Sequence, residues 1–221
     1  MGRIVITGAN RGIGLAMATQ FAARGDDVVA GCREASSELR AVDGVRVIEG
    51  LEVSDGDAVA AFAKEVGAGR IDVLINNAGI LTGETLQDMS FERIQRQFEV
   101  NSMGPLRVTR ALLDRIGEGS KVALITSRMG SIADNTSGSR YGYRMSKAAL
   151  NAAGVSLAHD LRPRGAAVAI LHPGFVRTGM TGGMGQVDAD ESARGLIARI
   201  DALTLETSGT FWHAQGEVLP W

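Results

Sequence analysis

The sequence predicts one α/β domain over residues 1–221, with a doubly wound parallel sheet of about seven strands and helices on both faces. Three observations lead there. Short β-branched runs alternate with helix-period stretches along nearly the whole chain. A glycine-rich turn, Thr7-Gly-Ala-Asn-Arg-Gly-Ile-Gly14, joins the first such run to the first helical stretch. The 221 residues, 45% of them hydrophobic, suffice for one sizeable core, and no linker, repeat or low-complexity tract divides them.

Residues 3–7 form a buried strand, and the helical pattern of 15–24 is closed by Gly25. A glycine turn between strand and helix suits a pyrophosphate, because the backbone can approach the phosphates and free N–H groups at the helix start face the anion. Residues 27–33 are the second strand and 45–50 the third. Ser54 or Asp55 caps a helix over 57–66 with Val59, Phe62, Ala63 and Val66 on one side. The fourth strand, 71–75, leads into Asn76-Asn-Ala-Gly79, two amides and two small residues that can line a crevice.

Ser90 caps one long helical stretch over 91–116, whose apolar set includes Ile94, Phe98, Leu106, Val108 and Leu112. Asn101 is a polar residue within it, and Gly104-Pro105 is the expected kink. Residues 121–126 are the fifth strand, ending at Ser127, and a polar loop over 128–140 follows. The next helix carries Tyr143 and Lys147 and runs to Leu161, where Arg162-Pro-Arg-Gly165 breaks it. The sixth strand, 167–171, opens into His172-Pro-Gly-Phe-Val-Arg-Thr178. A glycine-rich candidate lid over 179–185, a helix over 189–202 and a last strand near 210–213 complete the pattern.

A net charge of −2 offers no electrostatic case for nucleic acid or an anionic membrane. No apolar run reaches the roughly 18 residues of a spanning helix, and the N-terminal apolar run is too short for a signal peptide. A single cysteine, Cys32, suits a reducing cytoplasm, and its place in an apolar run favours packing over catalysis. The three histidines are scattered, so no metal site is expected; His159 reads as helix surface, His172 as a strand-end residue and His213 as a strand residue. Phe62, Phe91 and Phe98 read as core.

Ligands of such a sheet bind beyond the carboxyl ends of its strands, where Gly8, Asn77, Ser127 and Pro173 all stand. Tyr143 and Lys147, four apart, share a helix face. A positive charge close to the phenol is expected to lower its pKa toward working pH. The second strand ends in Cys32-Arg33 with no acid at its tip, and Arg11 lies in the glycine turn. Two cations there favour NADP(H) over NAD(H).

Thr7-Gly-Ala-Asn-Arg-Gly-Ile-Gly14, Asn76-Asn-Ala-Gly79, Asn101, Ser127, Tyr143-x-x-x-Lys147 and Pro173-Gly174 occur in the order found in the short-chain dehydrogenase/reductase family, a Rossmann-like family that the sequence resembles over nearly its whole length. Ser131-Ile-Ala-Asp-Asn-Thr136, residues 141–151 and the ending Gly-Glu-Val-Leu-Pro-Trp221 resemble its C-factor/sniffer-like carbonyl reductases. The resemblance implies Tyr143 as proton donor or acceptor, Lys147 as holder of the nicotinamide ribose and promoter of the phenolate, and Ser127 as hydrogen-bond donor to the substrate oxygen. Asn101 would hold a water linking Lys147 to solvent. Cofactor contacts are implied at Gly8, Asn10, Arg11, Gly12, Ile13, Gly14, Arg33, Val53, Asn77, Ala78, Gly79, Tyr143, Lys147, Pro173, Gly174, Val176 and Thr178.

The gap between Ser127 and Tyr143 is longer than the family's, making Ser131, Thr136, Ser137 and Ser139 rival donors; a strand end fixes Ser127 better than a loop would fix these. Glu52 stands where the family usually has aspartate, and the short segment after Thr178 implies a small or open lid. Tyr141, whose i+4 neighbour is Met145, could line the substrate site. The expected function is an NADPH-dependent carbonyl reductase, or the same step reversed, acting on a small carbonyl or alcohol and assembled as a homodimer or homotetramer. The alternative is an NADP(H)-binding signalling or redox-sensing protein acting through a partner.

Overall fold

Seven strands, all paired in parallel, form one sheet in the order β3-β2-β1-β4-β5-β6-β7. The computed structural model describes residues 1–221. The strands are β1 (Arg3–Thr7), β2 (Asp27–Gly31), β3 (Val45–Ile48), β4 (Val73–Asn76), β5 (Lys121–Ile125), β6 (Ala167–His172) and β7 (Phe211–His213). Between them lie α1 (Gly12–Ala23), α2 (Ser37–Arg40), α3 (Gly56–Val66), α4 (Phe91–Phe98), α5 (Gly104–Ala111), α6 (Tyr141–Leu161) and α7 (Ala189–Asp201). The strand order reverses between β1 and β4, which opens a crevice at their carboxyl ends.

Side chains alternate across each strand and divide the core in two. Val5, Val29, Leu74, Val122 and Val168 face a layer containing Phe62 of α3, Val108 of α5 and Leu150 and Leu161 of α6. Ile4, Ile6, Val28, Ile75, Ala123 and Ala169 face Met17 and Phe21 of α1 and Leu196 and Ile200 of α7. Each sheet face is therefore dry, as the apolar runs predict.

The predicted helix over 91–116 is not continuous. It breaks earlier than Gly104-Pro105, in a π-helical turn at Glu99–Met103 centred on Asn101, and its end is a 3₁₀ turn at Leu113–Arg115. Pro105 instead occupies the first turn of α5, where its missing N–H is harmless. Phe91 is 75% exposed, contrary to its expected core role. The reason is that α4 presents only part of its apolar side to α6. The short α2, unforeseen, is capped by the Ser36 hydroxyl accepting from the Leu39 N–H.

Candidate active site

The glycine turn is braced from two sides. Asn77, just past β4, donates its side-chain amide to the Thr7 and Gly8 carbonyls at 3.1 and 3.0 Å. The Thr7 hydroxyl accepts from the Asn77 and Ala78 N–H groups at 3.1 and 3.2 Å. Ser36 donates to the Asn10 carbonyl at 2.7 Å, so α2 also pins the turn. Gly8 has φ +68°, and a β-carbon on Gly14 would lie 2.3 Å from the Gly8 oxygen. No larger residue fits either place without moving backbone. Arg11, at the N-cap of α1, is extended and gives no side-chain cap, leaving the first N–H groups of the helix open to an anion.

This turn forms one wall of a cleft of ≈190 Å³ that gathers Gly8, Asn10, Arg11, Gly12, Ile13, Gly14, Arg33, Val53, Asn77, Ala78, Gly79 and Thr178 from five segments of the chain. Pro173, Gly174 and Val176 stand apart from its lining. Pro173 accepts from the Ser192 hydroxyl, Gly174 (φ +90°) faces His213, and Val176 is buried against Val187. Asn76 turns away into the core toward Thr109. The cleft also includes Ile80, Val100, Met180 and Arg96, which carry no sequence signal, together with Glu52, at the place where the family usually has aspartate. Burial raises the Glu52 pKa, but the Ser54 hydroxyl and N–H donating to its carboxylate and Arg96 at 2.9 Å outweigh that and lower it below its ordinary value. Arg96 left no signal in the chain, because it reaches the cleft only through the crossing of α4.

Arg33 is 67% exposed, its only acidic neighbour the Glu52 carboxylate at 3.8 Å, and the Arg11 side chain makes no ion pair. Open helix N–H groups, a glycine cradle and two available cations fit a dinucleotide carrying an extra phosphate.

At the other end of the cleft, a β-carbon placed on Gly79 would lie 3.3 Å from the Asn101 amide oxygen and 3.7 Å from Lys147 Nζ. The dinucleotide cleft therefore abuts the second group of candidate residues. Asn101 is fully buried: its amide oxygen accepts from the Ile80 N–H at 2.8 Å, and its nitrogen donates to the Ile80 carbonyl at 2.9 Å and to the Ser146 hydroxyl at 3.0 Å. Ser146 in turn donates to the Tyr143 carbonyl at 2.9 Å. The amide thus ties the β4 exit to the face of α6 that carries Tyr143. These bonds take up both ends of the side chain.

Tyr143 and Lys147 are both buried. Contrary to the expected lowering, the phenol pKa is raised: burial pushes it up, and a hydrogen bond with Ser127 and the charge of Arg140 oppose that shift. Lys147 Nζ lies 5.8 Å from the phenol ring centre and donates to the Ile125 carbonyl at 2.8 Å. Burial lowers its own pKa to about 8. At the β5 exit the Ser127 hydroxyl accepts from the Met129 N–H at 3.1 Å and lies near enough to the phenol to oppose the rise of its pKa. Of its rivals, Ser131 is buried and accepts from the Asp134 N–H, Ser137 accepts from Arg144, and Thr136 and Ser139 are exposed. Tyr141 is half-buried at the start of α6. His172 packs edge-on against His213 at 5.0 Å, and burial, with His213 and Arg128, lowers its pKa to about 3. No group of three His, Cys, Asp or Glu side chains is arranged to hold a metal ion.

A family model for short chain dehydrogenases matches residues 3–188. The 1-hydroxy-2-glutathionyl-2-methyl-3-butene dehydrogenase of Rhodococcus sp. (strain AD45) is 39% identical over 100% of both chains. The C-signal of Myxococcus xanthus is 48% identical over 73% of this chain and 99% of its own. The NADPH-bound carbonyl reductase from chicken fatty liver superposes with a TM-score of 0.92 at 28% identity, covering 100% of this chain and 99% of that one.

Proposed function

The chain belongs to the short-chain dehydrogenase family, and on that premise we propose that it is an NADP(H)-dependent oxidoreductase interconverting a small carbonyl compound and its alcohol, with Tyr143 as general acid and base. One observation carries the reading: the phenol of Tyr143, the hydroxyl of Ser127 and the ammonium of Lys147 meet in a buried corner where Gly79 joins the dinucleotide cleft. A site for binding alone has no use for a buried proton donor paired with a hydroxyl.

NADP(H), when bound, supplies or accepts the hydride. Gly8, Asn10, Arg11, Gly12, Ile13 and Gly14 would hold its pyrophosphate side, Arg33 with Arg11 the 2′-phosphate, and Val53 the adenine. Asn77, Ala78 and Gly79 would line the middle of the dinucleotide. Lys147 would take the nicotinamide ribose, and Pro173, Gly174, Val176 and Thr178 the carboxamide end. In reduction, Ser127 holds the substrate oxygen and Tyr143 passes its proton to that oxygen as the carbon gains the hydride. Burial keeps the phenol protonated at neutral pH, the form that donates. In oxidation Tyr143 must first lose its proton, and Lys147 favours that state. The family resemblance gives Asn101 a water between Lys147 and solvent; with its side chain engaged, its backbone would have to hold that water.

The test follows NADPH oxidation with a panel of aldehydes, ketones and quinones. Tyr143→Phe should abolish turnover while NADPH still binds; equal reduction by both proteins would remove Tyr143 from the mechanism. Likeness to the C-signal supports a second reading, an NADP(H)-binding signalling protein acting through a partner. It requires that Tyr143→Phe preserve biological output and that substitution at Gly14 abolish it. No helix is long and apolar enough to cross a membrane. Exposed Phe91, Met103, Leu106 and Met145 on and beside α4, α5 and α6 support a homodimer or homotetramer, measurable by light scattering. A cytoplasmic location accompanies this reading.

A further inference from the structure

Three charged side chains, Arg33, Glu52 and Arg96, meet at the rim of the dinucleotide cleft. Their backbones are fixed first. Past the ends of β2 and β3 the chain stays paired, with the Gly50 N–H donating to the Arg33 carbonyl and the Leu51 N–H to the Cys32 carbonyl, both at 2.9 Å. Arg33 and Glu52 therefore leave the sheet side by side. A β-carbon on Gly104 of α5 would lie 2.8 Å from Val53, so the Glu52 segment is seated directly on the helical rod that carries Arg96.

The side chains then close a ring. Arg96 donates to the Ser54 hydroxyl at 2.7 Å and to Oε2 of Glu52 at 2.9 Å, and Ser54 donates to Oε1 of Glu52 at 2.9 Å. Arg33 approaches the same Oε2 but stops at 3.8 Å. With one carboxylate oxygen engaged by Ser54 and the other by Arg96, Arg33 stays exposed and without a close acid. Glu49 is no competitor for it, because Arg40 holds that carboxylate at 2.8 Å and the Ala35 N–H donates to it at 2.7 Å.

We propose that Arg96 is a positioning residue for cofactor selection: by occupying Oε2 of Glu52 it keeps that carboxylate off Arg33, whose charge stays available for the 2′-phosphate of NADP(H). Without Arg96, a carboxylate with a free oxygen would stand beside Arg33 in the cleft, drawing the guanidinium to itself and repelling the phosphate. With Arg96 the three side chains carry one net positive charge, and without it they carry none. Arg96 thus lets the chain keep an acid in a wall that must accept an extra phosphate. The inference rests on the reading of Arg33 as the 2′-phosphate cation.

Fluorescence titration of the full chain gives a Kd for NADPH and one for NADH, and their ratio is the readout. In Arg96→Gln the preference for NADPH should fall about three- to fivefold, the scale of a half-exposed ion pair, with the Kd for NADH unchanged. Glu52→Gln should keep the preference, and adding it to Arg96→Gln should restore it, since the double change removes both the acid and the cation that masks it. Arg96→Lys, which retains the positive charge, should stay close to wild type. An unmoved ratio in Arg96→Gln, or an equal loss of NADPH and NADH affinity, overturns the proposal. Failure of Glu52→Gln to rescue also overturns it, and would make Arg96 a direct phosphate contact. Equal binding of NADPH and NADH by the wild type would remove the underlying reading and the proposal with it; Arg33→Asp tests that reading separately.

Discussion

The two ends of the cleft solve different electrostatic problems by opposite means. At the turn that follows β1, the groups facing a ligand are backbone N–H donors and exposed cations, Arg11 and Arg33, that remain hydrated until a phosphate arrives. At α6, Tyr143 and Lys147 are withdrawn from water, and burial drives both toward their neutral forms. A binding end can stay open because solvated charges cost nothing to display. On the proposed reading the proton-transfer end must be dry, because only there do Ser127 and Lys147 act on the phenol with little screening.

Substitutions at each end should therefore fail in different ways. The largest effect is expected from Tyr143→Phe, with kcat/KM for carbonyl reduction falling about 10³-fold and the Kd for NADPH, from fluorescence titration, unchanged. A matching loss of NADPH affinity would show that the two ends are not separable.

Next is the ammonium of Lys147. Its pKa drops from the ordinary 10.5 to about 8 on folding, so between those values the unfolded chain holds a proton that the folded chain has released. This contribution to stability is complete above about pH 10.5 and is lost as pH falls through about 8; it amounts to roughly 3 kcal/mol. The raised phenol of Tyr143 and the raised thiol of Cys32 work in the opposite direction, and the lowered Lys121 ammonium in the same one, so the readout is the difference between wild type and Lys147→Met. Urea denaturation should show wild-type stability rising more steeply between pH 8 and 10 than that of Lys147→Met; parallel profiles would mean that Lys147 is hydrated.

Gly14→Val tests the open end. Its β-carbon would meet the Gly8 carbonyl, and overpacking of this kind costs about 1–3 kcal/mol. Melting temperature should fall modestly and NADPH binding should vanish, whereas retained binding would show that the turn has other room. The smallest effect is Arg33→Asp, which should shift the NADPH-to-NADH ratio of kcat/KM about tenfold toward NADH, the scale of one charge-assisted hydrogen bond. An unchanged ratio would leave Arg11 as the phosphate cation.

The legibility of the molecule divides along the same line. Gly8, Gly12, Gly14 and the strand and helix flanking them are contiguous, so spacing alone predicts their shape. Val59, Phe62, Ala63 and Val66 repeat at helical period and are all buried. The break at Asn101 was misplaced because Gly104-Pro105 is the stronger local signal, while the π turn is held by bonds from Asn101 to Ile80 and Ser146, neither its neighbour in sequence. Phe91 was misjudged because its burial depends on which side of α4 meets α6. Arg96 and Glu84 left no pattern at all.

The sequence by itself determined the strand and helix alternation, the parallel sheet and the glycine turn, and its family resemblance supplied the candidates Ser127, Tyr143 and Lys147. The first three follow from local backbone preference and from periodicities of two and 3.6 residues, which neighbours along the chain carry. Only the tertiary structure decided that the Tyr143 phenol is raised and not lowered, that Lys147 turns to Ile125, and that the buried Glu84 carboxylate accepts from the Gly142 N–H at the start of α6. Burial and distance between remote segments set a pKa, and neither exists until the chain is folded.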